Sequence, residues 1–326
     1  PRALCWLAVA MPSVAVAQGG GHWAYSPPAE VSPPAVENAE WLRSPVDAFV
    51  LAGIERNGQR PSGEADVRTL VRRLFFDLVG LPPSMADVEA LASKALAADS
   101  SDESYQRLVD QLLASPHFAE RMAMHWLDLV RFADTTGVHA DNPWDAHPYR
   151  DWVIRAFDDN MPFDQFTREQ LAGDLLPNAT LQQRVAAAYN RLNLITREGG
   201  SQPKEFLARY TADRVRNVST VWMAATVGCA ECHDHKFDPI AARDFYRLGA
   251  FFADIEQVGV YSQGAANGRY FGPYLTVPPA AQRDQLAKID ARIAMVRDTL
   301  ATPTDTLRAA QHDWEREVLV APPVAP

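Results

Sequence analysis

The stretch Leu70-Val71-Arg72-Arg73-Leu74-Phe75-Phe76-Asp77-Leu78-Val79-Gly80-Leu81-Pro82-Pro83 decides the class of fold. Its apolar residues at positions 70, 71, 74, 75 and 78 recur with the period of one helix face. The glycine at position 80, followed by two prolines, is typical of a helix end, because glycine adopts the left-handed conformation that closes a helix and proline cannot continue one. The stretch therefore predicts an amphipathic helix that stops at a turn.

The same helical signals recur on both sides of this stretch. Ser84 and Asp87 resemble a capping box, in which two side chains three residues apart bond each other's backbone N–H groups. Ser115 and Pro116 supply an N-cap and a proline at the first helical position. Helices are predicted over residues 84–98, 103–114, 117–133, 149–158, 163–176, 181–195, 204–227 and 241–255. The sequence thus predicts a mainly α, multi-helical domain over residues 46–257.

The regions that flank this domain have different compositions. Residues 18–45 carry too many prolines for regular structure, so we predict an extended, proline-rich arm. Residues 258–279 contain glycine, tyrosine and alternating apolar residues, which indicates a loop with a short hairpin. Over residues 280–320 the helical period returns and predicts an antiparallel helical hairpin, followed at residues 321–326 by a linker to a missing C-terminal region. Five apolar residues of the first helix are spaced alternately three and four apart, as in a short heptad seam: Leu286, Ile289, Ile293, Val296 and Leu300.

Residues 1–17 have the composition of an incomplete secretory signal peptide. Arg2 precedes an apolar run of fifteen residues, which ends in the small-x-small sequence Ala15-Val16-Ala17. A run of this length is too short for a membrane span, so we predict no stable membrane segment. We expect cleavage after Ala17 and export to a periplasmic, cell-surface or extracellular location.

The net charge of the chain indicates which kinds of binding partner to expect. The formal net charge of the 326 residues is −10, and loss of Arg2 with the signal peptide would make it −11. No general basic surface is therefore expected to attract nucleic acid or anionic lipid. We expect the partner to be a redox partner or a soluble substrate.

The pentapeptide Cys229-Ala230-Glu231-Cys232-His233 carries the chemistry to which the sequence points most directly. Cys-x-x-Cys-His is the attachment signature of c-type haem, in which two thiols bond to the porphyrin and the adjacent imidazole ligates the iron. Residues three and four apart lie on one face of a helical turn, so the three side chains are able to point at one macrocycle. We therefore predict covalent haem c on Cys229 and Cys232, with His233 as the ligand of the haem iron.

Other interpretations of the two cysteines stay open. They are the only cysteines left if cleavage removes Cys5, and two cysteines three residues apart are able to form a disulfide. They also suit a zinc site with His233 or His235, although a structural zinc site takes four protein ligands and the chain has no second cysteine pair. A redox pair of the thioredoxin kind would need a βαβ setting, whereas helical patterns surround this motif.

A polar cluster follows the cysteines directly. Asp234 and His235 are alternative metal ligands, and Lys236 and Asp238 lie beside them in the sequence. Such a cluster favours either ion pairs and helix caps of a structural kind, or a site for a metal-dependent or hydrolytic enzyme, acting for example on a polysaccharide, with the cysteines as a disulfide. A binding module of a larger surface protein is the third interpretation. A visible spectrum would separate the haem protein from the other two.

Several longer motifs carry a family resemblance. They lie at residues 125–134 (HWLDLVRFAD), 149–154 (YRDWVI), 161–166 (MPFDQF), 168–176 (REQLAGDLL), 213–215 (DRV) and 229–240 (CAECHDHKFDPI). Together they resemble the planctomycete cytochrome c-type domain, a family of exported proteins. The resemblance implies one c-type haem on Cys229, Cys232 and His233 and an exported electron-transfer or redox role. It also implies that the chain is part of a larger multidomain protein with a second domain beyond this sequence.

Overall fold

The structure, a computed structural model, describes residues 23–89, 101–138, 141–261 and 272–320. These residues form helices joined by turns, and the only β-type pairing among them consists of two isolated bridges. The predicted mainly α fold is therefore confirmed.

The helices follow the predicted order along the chain. The α-helices are α1 (Pro45–Arg56), α2 (Val67–Leu78), α3 (Ser101–Leu113), α4 (Pro116–Leu129), α5 (His147–Asp158), α6 (Phe163–Ala172), α7 (Leu181–Ala186), α8 (Pro203–Met223), α9 (Ala242–Ala250), α10 (Ala280–Ala301) and α11 (Asp305–Val320). Residues 85–89 are also helical. Short 3-10 helices cover Trp23–Tyr25, Ala39–Trp41, Gly173–Leu175, Ala187–Arg191 and Val227–Glu231. The segments predicted over residues 163–176 and 181–195 are thus each divided between an α-helix and a 3-10 helix.

The predicted helix starts are made by the predicted caps. The amide of Ser84 donates to the Asp87 carboxylate at 3.3 Å, and the amide of Asp87 donates to the Ser84 hydroxyl at 3.1 Å. The capping box is therefore present, although the remainder of that predicted helix, residues 90–98, lies outside the described residues. The Ser115 hydroxyl accepts from the amide of His117 at the start of α4. Gly80 has φ of 73° directly after α2, as its role at a helix end requires.

Two helices end earlier than predicted because a residue other than glycine takes the left-handed conformation. Arg131 has φ of 59°, so α4 ends at residue 129 instead of 133. The amide of Phe132 then bonds the Leu127 carbonyl at 2.9 Å, which closes the helix in the Schellman manner. Ala224 has φ of 49° and ends α8 at residue 223 instead of 227.

The described chain divides after Pro273 into two compact units, and an aromatic cluster forms the centre of the first. The Trp126 ring contacts Phe166 and Trp222 edge-on, with centroids 4.8 and 5.2 Å apart. The Gln170 side chain lies fully buried among these rings, and its carbonyl accepts from the Trp126 indole at 2.9 Å and from the Tyr149 hydroxyl at 2.6 Å. Since its amide nitrogen donates to the Phe166 carbonyl, this buried polar group is satisfied and fixes how α4, α5 and α6 meet.

A smaller apolar cluster confirms the stripe on α2. Val71 and Leu74 are buried against Leu108 and Leu112 of α3. The remaining predicted positions of the stripe are partly buried at the edge of this cluster or beside it. The pattern that predicted the fold class therefore marks the face of α2 that packs.

The described part of the arm, residues 23–44, contains the short 3-10 helices Trp23–Tyr25 and Ala39–Trp41 and has no regular structure over residues 26–38. The amides of Glu37 and Asn38 donate to the Glu55 carboxylate at 3.1 and 3.2 Å, which fastens the end of the arm to α1. Residues 18–22 of the arm, the predicted signal peptide at residues 1–17 and the predicted linker at residues 321–326 lie outside the described residues. The loop predicted over residues 258–279 shows no strand in its described parts, residues 258–261 and 272–279, so the short hairpin finds no support there.

The second unit contains α10 and α11, so both helices of the predicted hairpin are present. The five apolar residues of the heptad seam on α10 are exposed, by 41% for Leu286 and by 80% for Leu300. Antiparallel packing of the two helices therefore stays a prediction. Among the described helices of both units, none combines the length and the apolar character that a membrane span requires.

Candidate functional site

The Cys-x-x-Cys-His segment begins where α8 ends. The left-handed Ala224 turns the chain, and the next amide, that of Ala225, donates to the Ser219 carbonyl at 3.0 Å. A 3-10 helix, Val227–Glu231, follows and carries the first cysteine. The amide of Cys229 donates to the Thr226 carbonyl at 3.0 Å, which closes the first turn of this short helix. The helical turn thus includes Cys229, whereas Cys232 is its C-cap and His233 follows it in a bend.

Both predicted attachment residues have accessible sulfur-bearing side chains. Cys229 and Cys232 are exposed, and both are free thiols in the structure. The alternative disulfide is therefore not formed here. Two unpaired thiols on one exposed turn are able to react with a ligand that approaches from solvent.

The imidazole of His233 is exposed and is held in one tautomer. Its Nδ1 lies 2.8 Å from the carbonyl oxygen of Asp234. A carbonyl oxygen only accepts hydrogen bonds, so Nδ1 must donate and therefore carries the proton. In the neutral ring the lone pair then lies on Nε2, and a carbonyl bonded to the opposite nitrogen is the usual arrangement of a histidine that ligates a metal.

His235 has the opposite tautomer and a structural role. Its Nδ1 accepts from the amide of Asp238 at 2.8 Å and from the amide of Phe237 at 3.3 Å. Because Nδ1 accepts, the proton of the neutral ring lies on Nε2, which donates to the Thr226 hydroxyl at 2.9 Å. The side chain is only 7% exposed. His235 therefore uses both ring nitrogens to hold the loop together.

Asp234 is also occupied by the fold. Its Oδ1 accepts from the amide of Ala242 at 2.8 Å, at the start of α9, and Asp244 accepts from the preceding amide at 3.0 Å. Carboxylates at a helix start stabilise the helix by bonding its free N–H groups. The described residues contain no group of three His, Cys, Asp or Glu side chains arranged to hold a metal ion. Assignment of Asp234 and His235 as metal ligands thus gains no geometric support.

Three residues that the sequence did not single out fix the motif from neighbouring elements. Arg216 of α8 forms an ion pair with Glu231, which lies between the cysteines. The Tyr246 hydroxyl of α9 donates to the Glu231 carbonyl at 2.9 Å. The Thr226 hydroxyl accepts from His235. These partners are nine or more residues away from the residue they contact, so no local pattern identifies them.

Charged residues at the end of α4 and on α8 are of two kinds, those that form ion pairs and one that bonds only to neutral groups. Arg131 and Asp213 form an ion pair that joins the end of α4 to α8. Arg214, the next residue on α8, is buried and bonds only to neutral groups. Burial, reinforced by the nearby Arg191, lowers the pKa of Arg214 to about 10, so it remains a cation at neutral pH.

The fold and the motif together define a mainly α domain that presents two free thiols and a histidine of fixed tautomer on one exposed turn. The chain belongs to the PSCyt2 family, whose description is "Protein of unknown function (DUF1549)" and whose sequence model matches residues 45–257, more than half of the chain. This description assigns no activity, so the cytochrome c character remains to be argued from the site. Comparison with curated proteins and with solved structures found no match.

Proposed function

We propose that this protein is an exported c-type haem protein with an electron-transfer or redox role. In this proposal Cys229 and Cys232 hold the haem through thioether bonds and His233 ligates its iron through Nε2. Bound haem would supply a one-electron couple at the iron. The observation that carries the proposal is the hydrogen bond from His233 Nδ1 to the Asp234 carbonyl, since it leaves Nε2 as the free nitrogen of an exposed ring.

The state of the cysteines supports the same assignment. Thioether formation adds each sulfur to one carbon of a vinyl group and the thiol hydrogen to the other, so both cysteines must be unpaired. Cys229 and Cys232 meet this requirement. Exposed aromatic side chains occur in the same segment and on α9, because Phe237 is 74% exposed and Tyr246, whose hydroxyl donates to the Glu231 carbonyl, is 61% exposed.

The electrostatics support a protein partner of opposite charge. The chain carries a formal net charge of −10, and Glu231 lies between the two attachment residues. Complementary charge increases the rate at which two proteins meet. A redox partner with a basic contact surface therefore fits this proposal. Export and covalent haem agree, because the signal-like residues 1–17 would deliver the chain to the compartments in which disulfides and thioethers form.

The alternative of a metal-dependent or hydrolytic enzyme has no comparable observation in its favour. The His235 nitrogens both take part in hydrogen bonds of the loop, and Asp234 bonds the start of α9. Neither side chain is available as a ligand or a general base without loss of these bonds.

The test is covalent haem in protein made by a host with haem-attachment machinery. We expect haem that stays with the denatured polypeptide and gives a c-type pyridine haemochrome spectrum. The double variant Cys229→Ala/Cys232→Ala should lose it. His233→Ala should keep covalent haem but change its axial ligation, which is visible in the Soret band. His117→Ala, an exposed histidine on α4, is the matched control and should behave as the wild type.

Colourless wild-type protein from a host that matures a control cytochrome would contradict the proposal. So would a spectrum of His233→Ala identical to that of His117→Ala, since His233 would then not be a ligand.

A further inference from the structure

The 3-10 helix Val227–Glu231 and its C-cap Cys232 have a buried side and an exposed side. Val227 is 4% exposed and Ala230 is 0% exposed, so both side chains point into the domain. Cys229 and Cys232 are exposed. Residues three apart share one side of such a turn. The orientation of the turn therefore decides whether both thiols face solvent together.

The Arg216 side chain of α8 contacts this turn on both sides of Cys229. A Cβ added at Gly228 would lie 2.8 Å from Arg216 Cγ and 3.3 Å from its Cδ, so the stem of the arginine lies against this glycine. The guanidinium continues to the Glu231 carboxylate, with which it forms an ion pair. Arg216 therefore spans the turn from residue 228 to residue 231 and ties it to α8.

The same ion pair sets the charge between the two cysteines. Glu231 is the only charged residue between them, and it lies two residues before His233. The Arg216 and Glu231 side chains are 48% and 31% exposed, so solvent screens their charges only in part. The positive charge of Arg216 thus offsets the negative charge of Glu231 at the segment that holds the attachment residues.

We propose that Arg216 is a positioning residue for haem at Cys229 and Cys232, an inference that rests on the proposed function. Its stem and its guanidinium hold the turn in the orientation that presents both thiols. Its charge also raises the reduction potential of the site, because an unpaired carboxylate near the iron would favour the ferric state.

The first test is the fraction of chains that carry covalent haem after expression in a host with haem-attachment machinery. Arg216→Met keeps the length of the side chain without its charge, and Gly228→Ala keeps both charges but displaces the arginine stem. Each should lower the haem-bearing fraction at least about twofold. Arg209→Met removes an exposed arginine that pairs with Glu205 on the same helix, and it should load haem as the wild type does.

The second test separates the charge of Arg216 from its part in the structure. In haem-bearing protein, Arg216→Met should lower the reduction potential and Glu231→Gln should raise it. The double variant should lie between the two single variants. Loss of structure alone would shift the potentials of both single variants in the same direction, since each breaks the same ion pair.

The third test uses protein without haem. The amide of Cys229 donates to the Thr226 carbonyl at 3.0 Å, and its hydrogen exchange should be about two- to fivefold faster in Arg216→Met than in Arg209→Met. Equal exchange in these two variants, or potentials of the single variants that shift in the same direction, would overturn the inference.

Failure of this inference is distinct from failure of the proposed function. Wild-type protein without covalent haem would contradict both. Wild-type protein that loads haem, together with unchanged loading in Arg216→Met and Gly228→Ala, would overturn the role of Arg216 alone.

Discussion

Replacement of Ala224 by glycine should stabilise the protein, because this alanine ends α8 in the left-handed conformation. Its φ is 49° and its ψ is 32°. That conformation is unfavourable for an L-amino acid by about 1–2 kcal/mol and is free of strain for glycine. Glycine also has more conformational freedom than alanine in the unfolded chain. This difference lowers the free energy of unfolding by about 0.4–1 kcal/mol and so offsets part of the gain. The net expectation is an increase of about 0.5–1 kcal/mol in the free energy of unfolding.

The next residue provides a matched control. Ala225 is not in the left-handed region, and its amide donates to the Ser219 carbonyl at 3.0 Å. Ala225→Gly therefore relieves no strain and should lower the free energy of unfolding by about 0.4–1 kcal/mol through the unfolded state alone. The two variants remove the same methyl group, so their opposite signs isolate the backbone conformation.

Urea unfolding followed by tryptophan fluorescence measures both changes, since Trp222 lies on α8 and contacts Trp126 in the core. The comparison is valid if the free energy of unfolding of each variant falls with urea concentration at the same slope as that of the wild type. If Ala224→Gly is no more stable than Ala225→Gly, the inference that backbone strain is stored at this helix end is wrong.

Three further changes test the packing, the helix cap and the core. Gly259→Ala should destabilise the fold by about 1–3 kcal/mol, because its Cβ would lie 1.9 Å from the Pro203 carbonyl oxygen, whereas Gly199→Ala, which meets nothing within 4 Å, should not share this loss. Asp234→Ala should lower the free energy of unfolding by about 1 kcal/mol through loss of the acceptor at the start of α9, and Asp234→Asn should lose less; equal losses in a thermal melt would argue against the cap. Burial raises the pKa of Tyr149, so its contribution to stability is fully present below the unfolded value near 10 and is lost as the pH rises above it. Tyrosinate absorbance from Tyr149 should therefore appear only with unfolding, and a Tyr149→Phe variant that leaves the alkaline absorbance curve unchanged would refute this.

Helix starts were predictable because their signals are local. Ser84, Asp87 and Ser115 bond backbone groups two or three residues away, so the sequence pattern contains the whole interaction. Two helix ends were not predictable in the same way. Arg131 and Ala224 occupy positions that favour glycine, and the tertiary structure holds them there, in the first case through the ion pair with Asp213.

The spacing of residues in the sequence identified the candidate site. It did not show which of these side chains are occupied by hydrogen bonds of the fold. The pattern identified Cys229, Cys232 and His233, and it left His235 and Asp234 as alternative metal ligands. The structure separates them because hydrogen bonds to the loop and to α9 occupy the latter two. Such bonds depend on where the chain returns, which periodicity does not show.

The partners of adjacent charged residues on one helix are also difficult to predict from the sequence. Asp213 and Arg214 follow each other in the sequence, and a simple interpretation pairs them with each other. Consecutive helical residues point in different directions, so Asp213 reaches Arg131 while Arg214 turns into the interior. The sequence contains both charges, but only the fold shows that Asp213 forms its salt bridge with Arg131 and that the hydrogen bonds of Arg214 go to neutral groups.

The hydrogen bond between Thr226 and His235 restricts insertions and deletions in the motif. It joins the two ends of the segment that holds both cysteines, and the amide of His235 is fixed in turn to the Ile240 carbonyl at 2.8 Å. An inserted or deleted residue inside this closed segment would break the tie or rotate a cysteine off the exposed face. Insertions are better tolerated in exposed loops such as the one around Gly63, where nothing lies within 4 Å of an added Cβ.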